Sequence, residues 1–375
     1  MKRLRLKKVV AVLLALTMLF TVVGCGGGSS SPQPSNQGGS DQNVSEPTGY
    51  SRTEPLKLSY AKLGNDGEFD NQRPAAHYLM DLVTEYSNGM IQFDFYPNGQ
   101  LGSETDMLDQ VISGDLDMAM LSDGSIATVA PEVSMSMLPF LFNSSEEFYA
   151  IASLESGSEY QKALVQAMDN YGLFKYVAPM NGLFRALANR KHPVDSIDDL
   201  KDITIRIQPG SIYNDSYAAL GLSTANIAFS ELYTSLQQGA VDGEDLSFPF
   251  YYSYNFYEVE PYITELRMLY QTVNLIVSNE CWNNKFTEED RQIFMKAAEE
   301  AQRLGFQDQY KMDEEVISLV EQKGVSVIRY DDIKPEDREA FRKAVQSVWE
   351  KHSKTNETVW NALQKCLDEY RSKNK

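Results

Sequence analysis

Leu56-Lys57-Leu58-Ser59-Tyr60, the run from Arg73 to Ser87, and Ile91-Gln92-Phe93-Asp94-Phe95-Tyr96 are the stretches whose reading decides the fold. The first alternates at period two and predicts a strand. The second sets Ala76, Leu79, Met80 and Val83 at helical spacing and stops at Asn88-Gly89. The third alternates again. Ser103-Glu104-Thr105-Asp106 then opens another helix with a capping pattern, and Leu116 to Leu121 is an apolar third strand. Strand, helix and strand at this spacing predict a parallel sheet with covering helices.

The pattern restarts after about residue 170. Leu183 to Ala188, Ile203 to Gln208, Asn226 to Ala228 and Val241 to Glu244 read as strands, with helices at Ile212–Leu220 and Glu231–Gln238 between them. Leu269 to Val277 is a β-branched run long enough to cross between two halves. Glu288 to roughly Glu321 is amphipathic throughout, interrupted only by Gly305; at 1.5 Å per residue it spans about 50 Å, the width of two lobes. Val325–Tyr330 is a short strand, and Pro335 onward reads as a terminal amphipathic helix. The fold class is α/β, built as two similar halves.

The 375 residues suit about two domains. Hydrophobic residues make up 42% and charged residues 23%, an ordinary globular balance. Against 34 Lys and Arg stand 53 Asp and Glu, a formal charge of −19. Nucleic acid is therefore not an expected partner, because phosphate binding needs a basic surface. Three Cys and three His argue against a zinc cluster or a disulfide scaffold.

Lys2, Arg3, Arg5, Lys7 and Lys8 precede an apolar run from Val9 to Val23, fifteen residues long. That is short of the ~20 a membrane span requires and reads as the core of a signal peptide, residues 1–24. Thr21-Val22-Val23-Gly24-Cys25 resembles a bacterial lipobox, in which cleavage precedes Cys25 and its sulfur carries lipid. Cleavage there removes five positive charges and takes the net charge from −19 to −24. Residues 26–49, rich in Gly, Ser, Gln and Pro, bury too little to order themselves. The lipidated Cys and flexible tether, 25–50, thus hold a folded body, 51–375, close to the membrane face.

Searches for catalytic chemistry come back empty: HExxH, GxSxG, GxxxxGK[ST] and CxxC are all absent. His77 and His352 fall on predicted helices and His192 in a loop; Cys281 and Cys366 are remote in sequence from any His, and whether they pair is open. No cofactor is expected. Arginines at strand ends are the stronger signal. In Ile203-Thr204-Ile205-Arg206-Ile207-Gln208, Arg206 sits near the carboxyl end of a strand, and Pro209-Gly210-Ser211 turns into a helix. Open α/β sheets bind ligands outside the carboxyl ends of their strands, and a guanidinium there matches a carboxylate with two parallel hydrogen bonds. Arg185 is a second arginine within an apolar strand. A structural ion pair with one of the many acids is the alternative for each.

Several segments resemble the extracytoplasmic solute-binding receptor of tripartite ATP-independent (TRAP) transporters, the DctP family. Tyr96-Pro-Asn-Gly-Gln-Leu-Gly102, Leu138-Pro-Phe-Leu-Phe142, Phe229 to Gly243 (FSELYTSLQQGAVDG), Phe256-Tyr-Glu-Val259 and Val277-Ser-Asn279 carry the likeness. The resemblance implies a bilobal, periplasmic-binding-protein-like fold. Lobe I takes about 55–180 with part of 265–375, lobe II about 181–270, and crossing strands and a long helix join them. It implies a cleft that closes on a small organic acid and delivery to membrane-embedded transporter subunits, without catalysis. Arg206 falls on the family's carboxylate-clamping arginine, Arg185 on an upstream arginine position that often contacts ligand, and Phe229 on an aromatic that lines the pocket.

Two positions depart from the family pattern. Leu246 replaces an Asn near the ligand, which speaks against a sialic-acid or C4-dicarboxylate ligand. Ser122 and Asp123 occupy the region where some members carry a Glu. Phe248 to Tyr257 holds seven aromatics in ten residues, read either as core or as a pocket wall favouring an apolar or aromatic body on the ligand. Lys62 and Gln271 are further candidates to face the cleft. The expected protein is thus a lipoprotein anchored to the bacterial cell membrane through Cys25. A ligand sensor for a membrane kinase and, further off, an extracellular hydrolase are the alternatives.

Overall fold

Two sheets carry the architecture, in a computed structural model that describes residues 50–374. The expected signal peptide, Cys25 and the tether up to residue 49 lie outside the described residues. In chain order the strands are β1 (Leu56–Lys62), β2 (Ile91–Tyr96), β3 (Met118–Ser122), β4 (Phe174–Phe184), β5 (Ala186–Asn189), β6 (Thr204–Ile207), β7 (Ser223–Asn226), β8 (Gly243–Leu246), β9 (Tyr262–Thr264), β10 (Tyr270–Ser278) and β11 (Ser326–Ile328). The first sheet has the order β2-β1-β3-β10-β4 and the second β11-β9-β5-β8-β6-β7. Each contains a parallel trio: β1, β2 and β3 in one, β6, β7 and β8 in the other. Antiparallel β10 closes the first trio against β4, and antiparallel β5 links the second to β9.

The helix Arg73–Tyr86 starts with Pro74 in its first turn, where a missing N–H costs nothing, and buries Ala75, Ala76, Leu79 and Val83. The helix Glu104–Ser113 is fixed by a reciprocal capping box between Ser103 and Asp106. The helix Glu288–Gln322 is one continuous rod, capped by Thr287 and Asp290 with acidic residues in its first turn. Gly305 is no weak point in it: a Cβ there would meet the Cβ of Ala75 at 2.7 Å, so glycine is what lets the two helices approach. The rod packs on the first sheet and on the helix Phe248–Ser253 of the second half, and so ties both together.

The chain crosses between the sheets three times: from β4 to β5, from β9 to β10, and through the long helix from β10 to β11. The predicted strand Leu183 to Ala188 is split at Arg185, which separates β4 from β5, and the Arg185 N–H donates to the Leu269 carbonyl at 2.9 Å. The first two crossings therefore meet at this backbone bond. The strand expected at Asn226–Ala228 ends instead at Asn226, because Ile227 and Ala228 lead directly into the helix Phe229–Gln238. The single terminal helix expected from Pro335 is three: Pro335–Ala344, Gln346–His352 and Glu357–Lys373. The last is restarted by Asn356, whose side chain accepts from the Val359 N–H. Cys281 and Cys366 are both free, Cys281 fully buried.

Candidate binding site

Because both parallel trios point their carboxyl ends inward, the residues just past them face each other. Leu63, Asn98 and Ser125 follow β1, β2 and β3; Gln208, Ile227 and Ser247 follow β6, β7 and β8. All six line a cleft of about 720 Å³. That volume suits a small organic ligand, and the location is where open α/β sheets bind.

The two halves also touch at the rims. The Tyr254 hydroxyl donates to the Leu63 carbonyl at 3.2 Å, Asn65 Nδ2 to the Ser253 carbonyl at 3.1 Å, and the Ser253 hydroxyl to the Phe69 carbonyl at 2.8 Å. Phe69 and Tyr252 meet edge to face, with centroids 5.3 Å apart. On the other side Gly124 lies against the Pro209 carbonyl, and the Tyr213 hydroxyl reaches Asp123 at 3.5 Å.

Arg206, on β6, lines the cleft and is 4% exposed. Its Nε donates to the Ile227 carbonyl at 2.9 Å, which fixes the plane of the fork. Its two terminal nitrogens have no partner among the described residues. Its centre lies 5.8 Å from the Phe229 ring. Burial and the nearby Arg185 charge pull its pKa down, against the pull of Glu244 and Asp245. A buried, oriented, unpaired guanidinium is costly to hold, and an incoming anion removes the cost. The helix Phe229–Gln238 begins at the same spot without any side-chain cap on Ala228, so its free N–H groups and positive dipole end add to the attraction for an anion.

Arg185 lines the cleft too, but its charge is taken. Nε and Nη2 donate to the two carboxylate oxygens of Asp245 at 2.6 and 2.9 Å, and Nη1 donates to Gln271 Oε1. The Tyr217 hydroxyl completes Asp245 at 2.7 Å. Burial works against the Arg185 charge, but Asp245 outweighs it and holds the guanidinium above its usual range. The alternative reading, a structural ion pair, therefore describes Arg185, and Gln271 is a member of that network.

Phe229 and Leu246 line the cleft as expected. Three residues do not, and correct the sequence reading. Lys62 is fully buried, with its ammonium on Asp70 and the Gly64 carbonyl. Asp123 is fully buried too, accepting from the Thr272 N–H at 2.9 Å and the Gly124 N–H at 2.7 Å. Burial raises it to about 7. Phe248 packs into the second half's core, because the short helix it opens turns Phe250 and Tyr254 toward the cleft instead.

Sequence reasoning missed Glu104, which enters from the first half and accepts from the Ser122 N–H at 2.9 Å and the Ser125 hydroxyl at 2.7 Å. Its place at the start of a capped helix made it look like a surface residue. Also missed were Glu244 and Glu260, both fully buried, with no hydrogen-bond partner for any carboxyl oxygen. Burial raises both well above the usual carboxyl range; Asp245 adds to the effect on Glu244, against the pull of Arg185 and Arg206, and Glu244 adds to that on Glu260. Glu244 is the register neighbour of Arg206 across β6 and β8. Among the described residues no cluster of three or more His, Cys, Asp or Glu side chains could hold a metal ion.

Two α/β lobes, crossed three times by the chain and lined by strand ends around a cleft, define a solute-binding receptor. A family model described as bacterial extracellular solute-binding protein, family 7 (DctP) matches residues 66–356, and the chain belongs to that family. Its members are extracytoplasmic substrate-binding proteins of TRAP transporters. The sialic acid-binding periplasmic protein SiaP of Vibrio cholerae is 30% identical over 279 residues, covering 73% of this chain and 82% of that protein. A solute-binding protein of Chromohalobacter salexigens is 29% identical over 272 residues, 72% of this chain and 76% of that one. Among solved structures, a TRAP periplasmic solute binding protein from a Polaromonas species bound to D-erythronate superposes with a TM-score of 0.75 at 24% identity, over 83% of this chain and 98% of that one. One from Chromohalobacter salexigens with bound D-glucuronate gives 0.74 at 23% identity, over 83% and 99%.

Proposed function

We propose that this protein is a lipid-anchored receptor that captures a small organic carboxylate on Arg206 and delivers it to the membrane subunits of a TRAP-type transporter. It does no chemistry on the ligand. The observation that carries this reading is the Arg206 guanidinium, buried, aimed by Ile227 and without an anionic partner among the described residues. One relative is named for sialic acid, and solved neighbours hold erythronate, glucuronate and succinate, all carboxylates. The body works as two lobes, about 55–180 with part of 265–375, and about 181–270.

Binding favours the closed arrangement because the carboxylate neutralises Arg206 only when the cleft excludes water, and a ligand shifts a conformational equilibrium only by its differential affinity. Cys25 carries the lipid, and residues 26–49 give the body a reach of about 25–30 Å from the bilayer. Mass spectrometry of small molecules released on denaturing the purified protein tests the capture. An organic acid at near-equimolar amount is expected, and its absence together with indifference to all added acids contradicts the reading. Fatty-acid labelling that is lost in Cys25→Ser tests the anchor.

A further inference from the structure

The cleft's charges and walls narrow the ligand class. This step rests on the carboxylate-receptor reading above and goes beyond it. Among the described residues lining the cleft, only Arg185 and Arg206 are cationic, and Asp245 neutralises Arg185 through two hydrogen bonds. One positive charge is left for a ligand. The first lobe contributes the opposite sign, Glu104, to the same cleft. A second carboxylate on the ligand would find no free cation, and it would be dehydrated in the presence of a fixed negative charge.

Several polar groups of the wall around Arg206 are already engaged with one another, while Asn71, Asn226 and Ser247 also line the cleft. Gln271 Nε2 donates to Gln208 Oε1 at 3.3 Å, Gln208 donates to the Tyr213 hydroxyl, and Gln271 Oε1 is taken by Arg185. Leu246 presents only hydrocarbon. Phe229 makes edge-to-face contacts with Phe250 at 5.5 Å, Tyr254 at 4.8 Å and Phe256 at 6.1 Å, and all four rings line the cleft. Against these four ring faces a hydroxyl would lose water without a replacement bond. A flat apolar body would gain ring contacts and area burial.

We infer that the ligand is a monocarboxylate with a flat, apolar body of the aryl-carboxylate type, its head on Arg206 and its body against the Phe229, Phe250, Tyr254 and Phe256 rings.

Titration calorimetry of the purified, dialysed protein with phenylacetate, succinate and D-glucuronate as probes tests this. Phenylacetate is expected to bind, with succinate and glucuronate each at least about tenfold weaker. Phe229→Leu, at a partly exposed ring, should weaken phenylacetate about fivefold with little change in melting temperature. Tyr254→Leu should weaken it in the same direction, a second readout should Phe229→Leu fail to fold. Succinate or glucuronate binding as tightly as phenylacetate, or more tightly, overturns the inference and leaves the receptor reading standing. Binding of none of the three overturns the inference; the receptor reading falls with it only if no organic acid co-purifies either.

Discussion

Asp245 holds Arg185 by both carboxylate oxygens, at 2.6 and 2.9 Å, and that grip is what leaves the neighbouring Arg206 as the cleft's free cation. The pair is fully buried, so each partner protects the other from an uncompensated charge. Arg185→Ala or Asp245→Asn should therefore cost about 3–5 kcal/mol of folding stability, whereas the double change to Leu at both positions should cost clearly less than either single one. Urea unfolding monitored by circular dichroism measures it. A double variant as unstable as the sum of the singles would contradict the pairing.

Tyr254 lines the cleft with its ring and crosses to the Leu63 carbonyl with its hydroxyl. Tyr254→Phe keeps the ring and removes the crossing. The loss of one hydrogen bond, about 1 kcal/mol, should weaken ligand binding about fivefold, chiefly through faster dissociation. Small-angle scattering of the ligand-free variant should show a larger radius of gyration than wild type. Unchanged affinity and radius would mean that this contact does not hold the lobes together.

Glu244, Glu260 and Asp123 make stability fall as the solution becomes more alkaline. Burial raises all three, Asp123 to about 7, whereas in the unfolded chain such groups titrate near about 4. The folded state thus keeps protons that the unfolded state releases. The stabilisation is complete below the unfolded pKa and is lost as pH rises through the folded one. Melting temperature should be higher at pH 5 than at pH 8, and Glu244→Gln with Glu260→Gln should shrink the difference by stabilising the protein at pH 8. Calorimetric melting temperatures that rise from pH 5 to pH 8 would contradict this.

Period and punctuation made most of the scaffold legible. β2 falls on Ile91–Tyr96 as read, and the long helix runs from Glu288 to Gln322. Strands buried on both faces were harder: Phe174 to Gly182, the first part of β4, carries no alternation because both faces are covered, and its Pro179 and Gly182 look like breakers. Arg206 and Phe229 were legible as cleft residues because a strand end and a helix start bracket them. Lys62 and Asp123 sit at strand ends too, and nothing local distinguishes a side chain turned into the cleft from one turned back into its own lobe. That difference is made by long-range partners, Asp70 for Lys62 and Thr272 for Asp123. The unpartnered Glu244 closes the strand read at Val241 to Glu244, and nothing local marks its side chain as buried.

The central claim is that Arg206 holds the ligand's carboxylate. Calorimetry with the acid recovered from the purified protein, on wild type and Arg206→Ala, tests it most directly. The account predicts a loss of at least about 2 kcal/mol, roughly thirtyfold or more in Kd, while the variant stays folded. Equal affinity in a folded Arg206→Ala protein would contradict it.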